Sequence, residues 1–104
     1  MEKIPTITPG EILLEEFLKP MNITAYRLAK DTNVPATRIS QIIKGNRRIT
    51  ADTALRFSKY FGNSADFWLG IQDEYDLRKD KKNIAKELEK IPHVKSSKYL
   101  DTSH

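Results

Sequence analysis

The chain has no cysteine and only two histidines, His93 and His104, among its 104 residues. A disulfide framework and a cysteine-based zinc site are therefore excluded, and we expect no histidine-centred metal or catalytic cluster in the polar C-terminal stretch. No apolar run approaches the roughly 18 residues of a membrane span, and the N-terminus lacks the apolar core of a secretory signal. We expect a cytoplasmic protein without membrane association, bound metal or cofactor.

Motifs of the common catalytic sites are also missing. The sequence contains no glycine-rich phosphate loop, no nucleophile elbow and no metal-ligand spacing. The adjacent Glu15 and Glu16 point in different directions from a helix, so they do not form an acid/base pair. We therefore expect no catalytic residues and no enzyme.

The chain does contain a series of helix signals, which predict an all-α fold. Thr8-Pro9-Gly10-Glu11 has the form of a capping box with Pro at the first helical position. We predict five helices: one ending before Pro20, one from Thr24, one over residues 36–44, one over residues 51–61 with Ala51, Ala54, Leu55, Ser58 and Phe61 inward, and one from Ser64 to near Arg78. Residues 1–82 would form the domain, and residues 83–104 a tail that is partly helical or flexible.

The stretch from Ile23 to Gly45 predicts two short helices around a tight turn. Asn33 occupies the turn, where a positive φ is needed, and Pro35 restarts the chain as a helix. On the second helix Ile39, Ile42 and Ile43 share one side, while Thr37, Gln41 and Lys44 share the other. This is the layout of a helix-turn-helix whose second helix enters the major groove of DNA.

The charge distribution supports the same function. Residues 19–60 carry nine Lys and Arg against Asp31 and Asp52, a net charge of +7, whereas residues 1–18 and 61–78 each have a net charge of −3. A phosphate backbone would attract this central positive charge. A basic run can also be an ordinary solvated surface. The polar face of the second helix is the further observation that favours double-stranded DNA as a partner.

Candidate contacts follow from position and side-chain type. Planar and short polar groups near the start of the second helix suit base edges, so the predicted base-reading residues are Ala36, Thr37, Arg38, Ser40, Gln41 and Lys44. Phosphate contacts are predicted from loop position and charge at Thr24, Asn46, Arg47 and Arg48. The alternatives are a simple N-cap for Thr24 and a solvated loop for Arg47 and Arg48.

The last predicted helix combines aromatic and acidic residues. A small domain contacts few base pairs, so we expect a homodimer that binds two half-sites. We predict that Trp68 is in the core and that the dimer interface contains Leu69, Ile71, Tyr75 and Leu77. We expect Asp66, Asp73, Glu74 and Asp76 on the outer face, where they keep this part off DNA.

Residues 11–77 resemble the HigA-type antitoxins within the lambda-repressor-like (Xre) helix-turn-helix group. The shared features are Pro9-Gly10-Glu11, the helix pair from Thr24 to Gly45, residues 49–54, and above all Phe67-Trp68-Leu69 followed by Gln72 and Tyr75-Asp76-Leu77. Asn33 is a departure, since the wider group often has Gly in this turn. The residues after Lys82 lie outside the shared pattern.

The resemblance implies a five-helix lambda-repressor-like domain with a dual function. Such a protein would bind an inverted-repeat operator in its own promoter as a homodimer. It would also neutralise a small basic RelE-like mRNA-cleaving toxin encoded beside it. The alternatives are a stand-alone Xre-type repressor without a toxin, and a purely protein-binding inhibitor. Either the acidic residues Glu2, Glu11, Glu15 and Glu16 or the tail would contact a toxin.

Overall fold

The computed structural model describes residues 7–94, so that Glu2, His104 and the last ten residues of the predicted tail lie outside the described part. We number the helices as α1 (residues 9–21), α2 (Ala25–Thr32), α3 (Ala36–Ile43), α4 (Ala51–Phe61), α5 (Ala65–Asn83) and α6 (Ala85–Glu89). The all-α prediction is confirmed: residues 7–94 contain no strand. Residues 7–94 contain six helices rather than five, because α6 forms within the predicted tail. α5 continues five residues beyond Arg78.

The first helix begins as predicted but ends later. The Thr8 hydroxyl accepts a hydrogen bond from the Glu11 N–H, and the Glu11 carboxylate accepts one from the Thr8 N–H. The helix then widens into a π-helical stretch, Leu13–Leu18, before it resumes over Lys19–Met21. A regular α-helix would bring the Pro20 ring against the carbonyl of Glu16. The wider π-helical turns avoid this clash, so the helix continues through Pro20 to Met21. The predicted end of the helix before Pro20 was therefore wrong.

The core lies where α1 through α5 meet. Its buried hydrophobic residues are Leu13, Leu18, Leu28, Ala29, Val34, Ile39, Ile42, Ile49, Ala54, Phe57 and Trp68. The Trp68 ring lies 5.2 Å from that of Phe57 and 4.8 Å from that of Phe17, and its Nε1 donates to Asn63 Oδ1 at 2.9 Å. The predicted core position of Trp68 is confirmed.

The buried face of α4 differs from the predicted one. Thr53, Ala54 and Phe57 are buried, while Leu55 is 61% exposed. Both sets of residues have helical spacing, so the pattern alone did not distinguish them. The structure selects the face that places the Phe57 ring against Trp68. Within the described residues, no helix is both long and apolar enough to cross a membrane.

Candidate nucleic-acid interface

Helix α3, the predicted recognition helix, is fixed to the domain by its inner face and by its backbone. Ile39 and Ile42 are buried, and Ile43 packs partly against the core. The helix α1 approaches the backbone of α3 so closely that a Cβ atom at Gly10 would lie 1.9 Å from the carbonyl oxygen of Ile42. Only glycine fits here, because any side chain would overlap the backbone of α3. The orientation of the outer face of α3 is therefore set by the inner face and the backbone of the helix, and not by the outer side chains.

Most of the predicted base-reading side chains lie on the outer face of α3. Ala36, Thr37, Gln41 and Lys44 are exposed. Ser40 and Arg38 are half-buried at the edge of this face, and the Arg38 Nε has no hydrogen-bond partner among the described residues. The helix therefore presents hydroxyl, amide and ammonium groups to a binding partner, and residues 32–51 include no carboxylate side chain.

The turn of the helix-turn-helix has the predicted geometry. Thr24 caps α2, its hydroxyl accepting a hydrogen bond from the Arg27 N–H at 3.0 Å. Asn33 adopts the left-handed conformation, with a φ of 59°, where α2 ends. Tyr26, which the sequence analysis did not select, is 71% exposed on α2 two residues after Thr24. A tyrosine hydroxyl can donate a hydrogen bond to a phosphate oxygen.

A second set of contacts holds this turn against α4. Arg56 donates from Nη1 to the Thr32 carbonyl oxygen at 3.0 Å and to that of Asn33 at 3.3 Å. The Tyr60 hydroxyl donates to Asp31 Oδ2 at 2.8 Å. This hydrogen bond, with partial burial, raises the pKa of Tyr60 above its ordinary value. Two carbonyls at the C-terminal end of α2 are therefore satisfied by a side chain of α4, which ties the turn to that helix.

The loop after α3 contains the remaining predicted phosphate contacts. Gly45, with a φ of 84°, ends the helix, and Asn46, Arg47 and Arg48 are all exposed. Arg47 Nη1 lies 3.4 Å from Gln41 Oε1, which places its guanidinium beside the outer face of α3. Arg48 instead forms an ion pair with Asp76 of α5.

Arg48 belongs to a hydrogen-bonded chain that connects this loop to α5. The buried Gln72 accepts from the Ile49 N–H through Oε1 at 2.7 Å, and its Nε2 donates to Asp76 Oδ1 at 3.0 Å. Burial alone would raise the pKa of Asp76, but the hydrogen bonds from Arg48 and Gln72 outweigh it and lower the pKa below its ordinary value. Asp76 is thus part of the loop's support, and the prediction that it is simply an outer-face acid was wrong.

The predicted dimer residues occupy different environments on α5. Leu69 and Ile71 pack partly against the core. Tyr75 is half-buried in a cleft between α5 and α1, whereas Leu77 is 71% exposed. The four residues therefore do not form one exposed stripe, and Leu77 is the one most available for a partner.

Comparison with known proteins agrees with this geometry. The helix-turn-helix family model matches residues 14–68. Antitoxin HigA-1 of Vibrio cholerae is 39% identical over 71 residues, which cover 68% of this chain and 67% of that protein. The chain belongs to the HigA family of helix-turn-helix proteins. The family comprises DNA-binding regulators and antitoxins.

Two further similarities extend across most of the chain. Virulence-associated protein I of Dichelobacter nodosus is 51% identical over 85 residues, which cover 79% of each protein. The solved structure of the Pseudomonas aeruginosa antitoxin HigA with the higBA promoter has a TM-score of 0.83 and 36% identity, covering 88% of this chain and 100% of that one. The resemblance stated from residues 11–77 is confirmed.

Three residues that support the interface of this HigA-family protein were missed by the search for functional residues. Gly10 was noted only in the capping box and the family pattern, Gln72 only in the family pattern, and Asp76 was expected on the outer face of its helix. The spacing of Gln72 and Asp76, four apart on one face of a helix, was a signal that they could act together. The contact between Gly10 and Ile42 joins residues 32 positions apart, and no local pattern predicts it.

Proposed function

We propose that this protein is an antitoxin that neutralises a co-encoded RelE-like mRNA-cleaving toxin and represses its own operon as a homodimer on an inverted-repeat operator. The outer face of α3 is the observation that carries the DNA-binding part. It combines exposed Thr37, Gln41 and Lys44 with a surrounding segment that has no carboxylate. The relative from Pseudomonas aeruginosa, solved with the higBA promoter, supports the same assignment.

In this mechanism the outer face of α3 enters the major groove. Gln41 can bond an adenine edge through both amide atoms, Arg38 a guanine edge, and Thr37 can contact several bases. Ala36, Ser40 and Lys44 would complete the base contacts at the two ends of this surface. Since the Arg47 guanidinium is adjacent to Gln41, it can bind a phosphate next to the base that Gln41 contacts.

Phosphate contacts on either side would fix α3 in the groove. Thr24 and the start of α2 lie on one side in the chain, and Asn46, Arg47 and Arg48 follow α3 on the other. The N-terminus of α2 attracts a phosphate through its free N–H groups. The ion pair of Arg48 with Asp76 leaves the Arg48 side chain 55% exposed, so that it can still approach DNA.

Two measurements test this proposal. Tagged protein is used to capture partners from its native host, and the eluate is searched for a small, basic, stoichiometric protein encoded next to this chain. The same protein is titrated with its own promoter DNA and with scrambled DNA of equal length. A companion together with selective promoter binding supports an antitoxin that is also an autorepressor.

The remaining outcomes separate the two parts of the proposal. Selective promoter binding without a companion would identify a stand-alone Xre-type repressor. A companion without DNA binding would identify a purely protein-binding inhibitor, and the assignment of α3 would then be wrong.

A further inference from the structure

A cleft of about 460 Å³ lies between the N-terminal part of the domain and α5, away from the outer face of α3. Its apolar lining consists of Ile7, Ile12, Ile71 and Tyr75. Ile7 is 54% exposed, and the other three are half-buried. Two of these residues, Ile71 and Tyr75, belong to the predicted dimer interface. The cleft therefore offers apolar surface that the single chain does not cover.

The same cleft is strongly acidic. Glu11, Glu15, Glu16 and Glu74 line it, and Arg78 is the single cation among its lining residues. Glu74 and Arg78 are 3.4 Å apart, but both side chains are mostly exposed, so this pair neutralises the cleft only locally. The lining residues have a net charge of −3, which favours an occupant that is basic as well as apolar.

The C-terminal part of the described chain has these two properties. Every residue from 79 to 94 is exposed. Ile84, Leu88 and Ile91 follow one another at intervals of four and three residues, which is the spacing of one helix face. The segment contains five Lys against Asp80, Glu87 and Glu89, a net charge of +2.

This segment lacks a packing surface in the single chain. An isolated helix of five residues, such as α6, is marginal in water without tertiary contacts. No residue of the segment packs against the described hydrophobic core. Tyr75, which lines the cleft, and Ile84 are about 13 Å apart along the axis of α5. Because α5 is a continuous helix, α6 begins at this distance from the cleft of the same copy. Leu88 and Ile91 therefore have no packing partner in the described hydrophobic core of their own copy.

We infer that residues 81–91 of one copy, which carry a net charge of +2, dock into the α1–α5 cleft of a second copy. This inference rests on the proposed homodimer and deepens it, because it names the segment and the surface that associate. Opposite net charges attract the two surfaces, and both have apolar side chains to bury. A two-fold axis would repeat the contact and thereby double the buried area, so that neither copy is left with a free cleft.

The apolar part is tested by sedimentation of the full chain over a range of concentrations. Leu88→Ser together with Ile91→Ser should raise the dimer dissociation constant about tenfold or more, since two apolar contacts are lost. Leu55→Ser removes a leucine of α4 that is 61% exposed, against 42% for Leu88 and 65% for Ile91, and should leave the constant unchanged. Helix content measured by circular dichroism checks that each variant is folded. Unchanged dimerisation of the first variant would overturn the inference.

Charge reversal tests which molecule supplies the segment. Glu15→Lys with Glu16→Lys, and separately Lys81→Glu with Lys90→Glu, should each weaken the dimer at low salt. An equimolar mixture of the two variants should restore it, because each junction again joins opposite charges. If the dimer is restored by a chain that carries all four changes but not by the mixture, the segment docks on its own copy. That result would overturn the inference.

The same variants separate this inference from the proposed function. Monomeric variants should still bind a DNA duplex with one half-site, because α3 is unchanged. If all variants remain dimeric and lose only the captured basic companion, the cleft binds the companion, and the second copy is the wrong occupant. If the unmodified protein is monomeric at every concentration, both this inference and the proposed homodimer fail.

Discussion

At the scale of single residues, Gln41 and Arg47 are neighbours with different proposed functions. Gln41 is on the outer face of α3 and Arg47 is on the loop, and their side chains lie 3.4 Å apart. An amide can distinguish bases, whereas a guanidinium bound to phosphate cannot. Substitution of each residue therefore separates sequence selectivity from general attraction to DNA.

Gln41→Ala should weaken binding to the operator by about 1–3 kcal/mol and relax selectivity at one base position, because a bidentate contact is lost. The measurement is a titration against operators that vary at each position, with scrambled DNA as the control. An equal loss on every sequence would rule out base recognition by Gln41.

Arg47→Ala should weaken binding to operator and scrambled DNA alike, because the loss of one phosphate contact reduces the number of released counterions. The slope of log K against log salt concentration should fall in magnitude by about 1. Arg78→Ala removes an equal charge from the α1–α5 cleft and should change the slope little. A loss confined to the operator would assign Arg47 to base recognition instead.

Gly10 and Gly70 make a matched pair for stability. Gly10→Ala should lower the free energy of unfolding by about 1–3 kcal/mol or more, because the new Cβ would overlap the Ile42 carbonyl. Gly70 lies inside α5 with nothing within 4 Å of a Cβ, so Gly70→Ala should raise stability by about 0.5–1 kcal/mol. Urea denaturation of the two variants measures both effects. Equal effects would contradict the close approach of α1 to α3.

At the scale of elements, the hydrogen-bonded chain from Arg48 through Asp76 and Gln72 to Ile49 connects the loop after α3 to α5. The lowered pKa of Asp76 means that its ionised form stabilises the fold. This stabilisation is present above the unfolded pKa, near pH 4, and is lost as the pH falls through the lower folded value. Asp76→Asn should therefore destabilise the protein at neutral pH.

The difference in stability between the unmodified protein and Asp76→Asn should shrink as the pH falls below about 4. Chemical denaturation at several pH values measures it, and Asp73→Asn, on the exposed side of α5, serves as the control. A difference that grows at low pH would have the wrong sign for a carboxyl with a lowered pKa.

The sequence predicted elements well where the cause was local, and less well where it was not. The predicted capping box at Thr8 forms, the hydroxyls of Thr24 and Ser64 cap their helices, and Asn33 has its positive φ. By contrast, the buried face of α4 depends on Phe57 meeting Trp68, eleven residues later in another helix. The partner of Arg48 is 28 residues away in the chain. Such contacts depend on how the helices cross, and the periodicity of apolar residues in the sequence gives no information about the crossing.

At the scale of the whole molecule, a single copy has one predicted recognition helix and would contact one half-site under the proposed function. If two copies associate, an operator with both half-sites in the correct spacing should bind far more tightly than a duplex with one. Insertion of five base pairs between the half-sites rotates one by about half a helical turn and should abolish this gain. Equal affinity for all three duplexes would contradict binding as a homodimer.

The support of α3 has a further consequence for how such repressors diverge. Ile39 and Ile42 anchor the helix from inside, and Gly10 touches only its backbone, so Thr37, Gln41 and Lys44 contribute little to folding. Substitutions at these three positions can accumulate without loss of the native state. Related copies within one genome could therefore acquire separate target sequences and avoid cross-regulation, while the scaffold beneath them stays constant.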